Sequence, residues 1–183
     1  MRSFILMILT VLMLQAAQAQ SVYEVNKGMV RFYSDAPHEL IRAATQELKG
    51  AIDLKRKTFA FKVAIVSFMG FNSPLQREHF NENYMETTQY PEATFSGKII
   101  EDTDLGVEGT HKVRAKGRLK IHGVEQERII DVEVKNKAGK LVVQAEFPVL
   151  LGDHNIKIPK VVYDKLAPEI HVTVGASMVP LRK

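Results

Sequence analysis

The 183-residue chain contains no cysteine and no tryptophan, and only 8% of its residues are aromatic. Without cysteine there is no disulfide framework, no thiol nucleophile and no cysteine-ligated metal. Stability has to come from a hydrophobic core, which about 160 residues can build in one domain. Charge of one sign is also missing: 25 Lys and Arg against 21 Asp and Glu leave a net +4. Because the two signs are interspersed, the reading is a mixed, solvated surface with no nucleic-acid partner. Long apolar runs are scarce as well. Phe4 to Leu14 is apolar except for Thr10, which is too short for a membrane span of roughly 20 residues. Arg2 before that run and Ala17-Gln18-Ala19 behind it complete the three-part layout of a cleavable signal peptide. The expectation is a signal peptide over residues 1–19 and one domain over 20–183, periplasmic or secreted. No stable membrane insertion is expected after cleavage.

Catalytic signatures are absent too. Six histidines, at 38, 79, 111, 122, 154 and 171, show neither H-x-x-x-H nor H-x-H spacing. Glu78 and His79 are adjacent, and neighbours on a helix diverge by about 100°. There is no G-x-S-x-G elbow and no G-x-G-x-x-G loop. No enzyme activity, metal site or cofactor is expected.

What the chain does contain is strand periodicity. From Gly109 to Ile121, Thr110, Lys112, Arg114, Lys116, Arg118 and Lys120 alternate with His111, Val113, Ala115, Gly117, Leu119 and Ile121. Strict period-two alternation marks a strand with one wet and one dry face. Ile130 to Lys135 repeats the alternation with Asp131 and Glu133 on the polar side, so a hairpin at His122-Gly123 would set acidic against basic residues. Further strand segments read as 22–25, 29–34, 46–53, 58–69, 93–101, 140–147 and 170–176. Asn26-Lys27-Gly28 reads as a turn, Asp35 to Thr45 as a helical or looped stretch, and Leu150 to Glu169 as an excursion with Pro159 and Pro168. On Thr58–Met69, Phe59, Phe61, Val63, Ile65 and Met69 share a face. Ser73-Pro74 with Gln76 opens a helix running to about Met85, with Leu75 and His79 inward.

The predicted fold is all-β: a closed, antiparallel, eight-stranded barrel with a short helix after the third long strand. Eight strands close around either packed side chains or one small ligand, and periodicity leaves both interiors open. In the hollow case Phe59, Phe61, Val63, Ile65, Phe95, Val113, Ala115, Gly117, Leu119, Val132, Val143 and Phe147 line the lumen. Arg77, His79, Phe80 and Tyr84 sit at the mouth, with Phe80 read as a plug. Arg77 has two readings, a head-group contact or a solvated side chain.

Ser73 to Gly97, S-P-L-Q-R-E-H-F-N-E-N-Y-M-E-T-T-Q-Y-P-E-A-T-F-S-G, together with L-K-I-H-G-V at Leu119–Val124, resembles the YceI-like family. The resemblance covers about Gly28 to Ser177, and it departs from the family's usual wording at Phe147–His154. It implies an exported, lipocalin-like barrel enclosing the tail of an isoprenoid or other long-chain lipid, with a quinone or pyrophosphate head near the mouth. The partner it implies is therefore a lipid, and a homodimer is left open. The competing readings from the residues are a solid barrel acting as a structural or interaction module and, third, an enzyme acting on a lipid held in the barrel.

Overall fold

Alternation decides the architecture. In the computed structural model, which describes residues 21–181, β6 (Gly109–Ile121) and β7 (Val124–Lys137) pair along their whole length. The register sets Lys112 against Glu133 and Arg114 against Asp131, with a Lys116–Glu127 ion pair at 3.1 Å. His122 and Gly123 both take positive φ, 50° and 75°, as a two-residue hairpin turn requires. The signal-peptide expectation lies outside the described residues.

The remaining elements are β1 (Val22–Ala36), β2 (Glu39–Thr45), β3 (Lys49–Asp53), β4 (Thr58–Ala64), α1 (Pro74–His79), β5 (Glu92–Ile99), β8 (Lys140–Leu150) and β9 (Glu169–Pro180). Strands β3 through β9 pair in chain order, and β9 returns to β1 from Tyr33↔His171 to Tyr23↔Pro180. β2 and β3 share one position beside β1: β2 pairs with Val30–Ala36 and β3 with Val22–Glu24. The nine strands of the described residues thus fill the eight positions of a closed antiparallel barrel. Closure leaves no long unpaired edge for another chain to extend.

Four local expectations are corrected. Asn26-Lys27-Gly28 is no turn; β1 runs through it with a register shift between Val25 and Lys27 against β9, which a β-bulge absorbs. Asp35–Thr45 is not helical or looped, because β2 occupies Glu39–Thr45 behind a tight turn at Pro37-His38. The strand from Thr58 stops at Ala64, and a 3₁₀ turn over Ile65–Ser67 resets the side-chain parity. Phe68 is therefore buried and Met69 is 55% exposed. Leu75 faces outward, 57% exposed.

The two barrel ends differ. At the end holding the β7–β8 turn, Asn136 Nδ2 donates to the carbonyls of Leu105 (2.9 Å) and Gly106 (3.0 Å). Leu105 is buried there, in the same core cluster as Tyr23, Leu141 and Met178. The opposite end carries the β1–β2 turn, α1 and the segment 151–168.

One seam needs side chains to close it. β7 and β8 pair only from Lys137↔Lys140 to Val132↔Ala145. Beyond that, Arg128 Nη2 donates to the Pro148 carbonyl at 2.8 Å and Gln126 Nε2 to the Asp153 carbonyl at 2.7 Å. His154, fully buried, places Nδ1 3.2 Å from the Val124 carbonyl. His122 Nδ1 lies 3.0 Å from the His154 carbonyl, and its Nε2 lies 2.6 Å from the Glu86 carboxylate.

Burial holds the His154 imidazole below its ordinary value, against the opposing carbonyls of Val124 and Ile121. The unfolded chain then takes up a proton near pH 6.5 that the folded chain refuses, so stability is full above that pH and falls below it. The slope reaches up to about 1.4 kcal/mol per pH unit from this group, until the depressed native value is reached. Thermal melts of wild type between pH 7.5 and 5 should show this decline, and His154→Gln should flatten it even though its own melting temperature is lower. Equal slopes in both proteins would show that His154 takes up its proton in the folded protein as it does in the unfolded chain.

Candidate functional site

Inward residues of adjacent strands form rings around the barrel axis. One ring follows the register Val113–Val132–Ala145–Val174–Val30. Next to it, Phe147, Val172 and Phe32 are in register. Val132, Ala145, Val174, Phe147, Val172 and Phe32 point inward yet are only half-buried. Their exposed surface faces an internal cavity of about 350 Å³, within the size range of small-molecule sites. The barrel is hollow.

The walls are carbon almost throughout. Phe59, Phe61 and Phe95 gather on one side, with Phe59 tilted against Phe95 at a centroid distance of 4.9 Å and against Phe61 at 6.2 Å. Polar lining residues gather toward the α1 end: Ser34, Glu39, Lys62, Gln76, His79, Tyr84, Thr94 and Lys165. Glu39 Oε1 there accepts from Gln76 Nε2 at 2.9 Å and from Asn72 Nδ2 at 3.3 Å. Ser34 is 1% exposed and accepts the Ala167 backbone N–H at 2.9 Å. Desolvation raises the Tyr84 hydroxyl above its ordinary value, which keeps it a neutral donor at the mouth.

α1 is positioned by local chemistry. Ser73 Oγ accepts the Gln76 backbone N–H at 3.1 Å and Pro74 opens the first turn, the expected cap. The helix then widens into a π turn over Phe80–Tyr84. That turn seats Phe80 on Phe32 (centroids 5.5 Å, near-parallel) and against Phe71 at 4.9 Å. Phe32, Phe68, Phe71 and Phe80 thus form an aromatic cap beside the opening.

The structure brings eleven of the twelve sequence-predicted lumen residues onto the cavity wall, Gly117 being the exception, and three of the four mouth residues: His79, Phe80 and Tyr84. Gly117 does not widen the lumen. It faces Gly97 across the β5–β6 ladder, and a Cβ there would lie 2.3 Å from the Ser96 carbonyl oxygen. Glycine permits a close approach of two backbones. Arg77 does not line the cavity either. Its Nε donates to the Phe68 carbonyl at 3.1 Å and Nη2 to the Val66 carbonyl at 2.9 Å.

Arg77 thereby ties α1 to the 3₁₀ turn. Arg77→Ala should lower stability by about 1.5–3 kcal/mol, the range for a lost hydrogen bond from a charged group, readable by urea denaturation. An unchanged midpoint would mean the two bonds contribute nothing. Missed lining residues include Val30, Phe32, Ser34, Ile41, Phe68, Phe71, Ile156 and Leu166. Ile41 falls in β2, Phe68 and Phe71 in the reset after β4, and Ile156 and Leu166 in the excursion, where no clean alternation signals an inward face; Val30, Phe32 and Ser34 lie on β1. Phe32 and Ser34, on a segment already read as a strand, could have been found from parity.

A family model described as the YceI-like domain matches residues 22–178. Solved structures share the fold. A polyisoprenoid binding domain from Saccharophagus degradans, implicated in plant cell wall breakdown, superposes with a TM-score of 0.76 at 16% identity, covering 87% of this chain and 98% of that one. Burkholderia cenocepacia BcnA gives 0.67 at 16% identity, over 82% and 95% of the two chains. A Campylobacter jejuni YCEI protein gives 0.61 at 15%, over 77% and 85%. No curated protein matches the sequence significantly. The chain belongs to the YceI-like family.

Proposed function

We propose that this YceI-like protein binds an amphiphilic lipid, an isoprenoid such as a quinone or a polyprenyl phosphate, with the tail in the barrel and the head at the α1 end. The observation that carries this reading is the segregation inside the cavity: carbon along its length, with polar side chains gathered toward one end. Burying an apolar chain yields roughly 25 cal/mol per Å², so affinity comes from the walls and orientation from the mouth. The polyisoprenoid-binding domain of Saccharophagus degradans, which shares the fold, supports the same ligand class. Glu39, Gln76 and Tyr84 offer hydrogen bonds to a head group. No residue is assigned a catalytic role. The protein would act as a carrier, scavenger or sensor in the periplasm or outside the cell, entered through the Phe4–Leu14 signal. Native mass spectrometry of protein purified from bacteria, followed by solvent extraction, should reveal a co-purifying hydrophobic molecule. Repeatedly empty protein that also ignores added quinones and polyprenyl phosphates would favour an interaction module working through its outer surface instead.

A further inference from the structure

We propose that the rim of the mouth is a membrane-docking surface that seats the open end of the barrel on an anionic phospholipid bilayer, so that a lipid tail passes between bilayer and lumen without crossing water. This rests on the lipid-binding reading above.

Three segments build the rim, and hydrogen bonds hold them together. The His38 backbone N–H donates to the Asp164 carbonyl at 2.9 Å, joining the β1–β2 turn to the 160–166 segment. On its other side, Asn72 Nδ2 donates to the Leu40 carbonyl at 3.1 Å and Gln76 Nε2 to Glu39 at 2.9 Å, joining β2 to α1. In each segment one residue lines the cavity while its neighbour projects outward. Ile41 lines it beside Leu40, Gln76 beside Leu75, and Val162 between Val161 and Tyr163. The outward neighbours are large and apolar: Leu40 is 38% exposed, Leu75 57%, Val161 85% and Tyr163 60%.

Charge selects the occupant. Lys157, Lys160 and Lys165 flank Val161 and Tyr163, all exposed. The acid among them, Asp164, is engaged by His38 Nδ1 at 3.3 Å. Aliphatic side chains entering the acyl boundary, a tyrosine at head-group level and lysines toward phosphates make an interfacial pattern. A second copy of the chain fits less well, since a two-fold contact on this rim would set the lysine cluster against itself. No helix among the described residues is long and apolar enough to cross a membrane.

Every strand and core contact described lies within residues 21–181, so the test uses the chain from Gln20. That removes Phe4–Leu14 as a competing source of binding. Flotation with phosphatidylglycerol/phosphatidylethanolamine vesicles should recover wild type, with weaker recovery on phosphatidylcholine. V161S/Y163S should bind the anionic vesicles roughly tenfold more weakly, and K157Q/K160Q should erase the preference for them. Both variants alter exposed side chains, and their melting temperatures should match wild type. In parallel, binding of a short prenyl alcohol free in solution should be equal in all three proteins. Flotation unaffected by both variants, or absent in wild type, overturns the docking proposal. So does a dimer in sedimentation that V161S/Y163S dissociates, which assigns the rim to a second copy. Vesicle binding as expected, with no prenyl-alcohol binding, instead sinks the lipid-cavity reading alone.

Discussion

Ala145→Phe should weaken binding of a long-chain lipid roughly 50-fold while leaving the barrel folded. Ala145 lies in the inward ring between Val132 and Val174, half-buried because it faces the cavity. A phenyl ring there has space to occupy and no backbone to displace. It would take the place of about three methylenes of ligand, at ~0.8 kcal/mol each, or about 2.4 kcal/mol. That energy converts to roughly 50-fold in Kd. Its neighbour Gln144 points out of the sheet and is exposed, so Gln144→Phe is the control and should bind as wild type. Fluorescence titration with a long-chain quinone decides it. Wild-type affinity in Ala145→Phe, with the fold intact, would mean that the lipid does not occupy this part of the lumen.

The second large effect is on stability. Gly117→Ala should cost about 3 kcal/mol, at the upper end of overpacking. A domain of this size then melts roughly 6–12 °C lower. The added Cβ would sit 2.3 Å from the Ser96 carbonyl oxygen and 2.9 Å from its carbon, both backbone atoms. No rotamer change relieves such a contact, so the β5–β6 ladder must shift. Gly97→Ala should behave alike, with Lys116 O at 2.1 Å and Gly117 Cα at 2.5 Å. Gly175 is the contrast, since a Cβ there meets nothing within 4 Å. Gly175→Ala should be neutral or slightly stabilising, by about 0.5 kcal/mol from reduced unfolded-state entropy. Similar losses at 117 and 175 would show that the sheet has slack at the close approach.

This pair marks where sequence reading reached and where it stopped. The small residues in Val113–Ala115–Gly117 suggest open space beside the axis, and for Ala115 that is where the structure places it. For Gly117 the space is needed by the neighbouring strand, a fact that depends on which residue stands opposite. Alternation was legible from Lys112 to Ile121 and from Ile130 to Lys135, because there each outward position is charged and each inward one apolar or small. β2 was not, because Glu39, Ile41, Ala43 and Thr45 place an acid and two small residues on the inner face. Glu39 has that position because it meets Gln76 and Asn72 at the mouth. Arg77 shows a related limit. Its partners are carbonyls of a 3₁₀ turn, and the sequence holds no sign that the strand from Thr58 breaks at Ala64. Parity failed there for the same reason, exchanging Met69 for Phe68.

The hollow interior is the claim on which the rest depends, and a chain-length series tests it most directly. Prenyl or alkyl alcohols of increasing length, titrated into delipidated protein, should bind about three- to fourfold more tightly per added methylene. The gain should end at a plateau once the cavity of about 350 Å³ is full, and Ala145→Phe should reach its plateau at a shorter chain. Affinity independent of chain length, or no saturable binding at any length, would contradict a lumen that accepts a hydrocarbon tail.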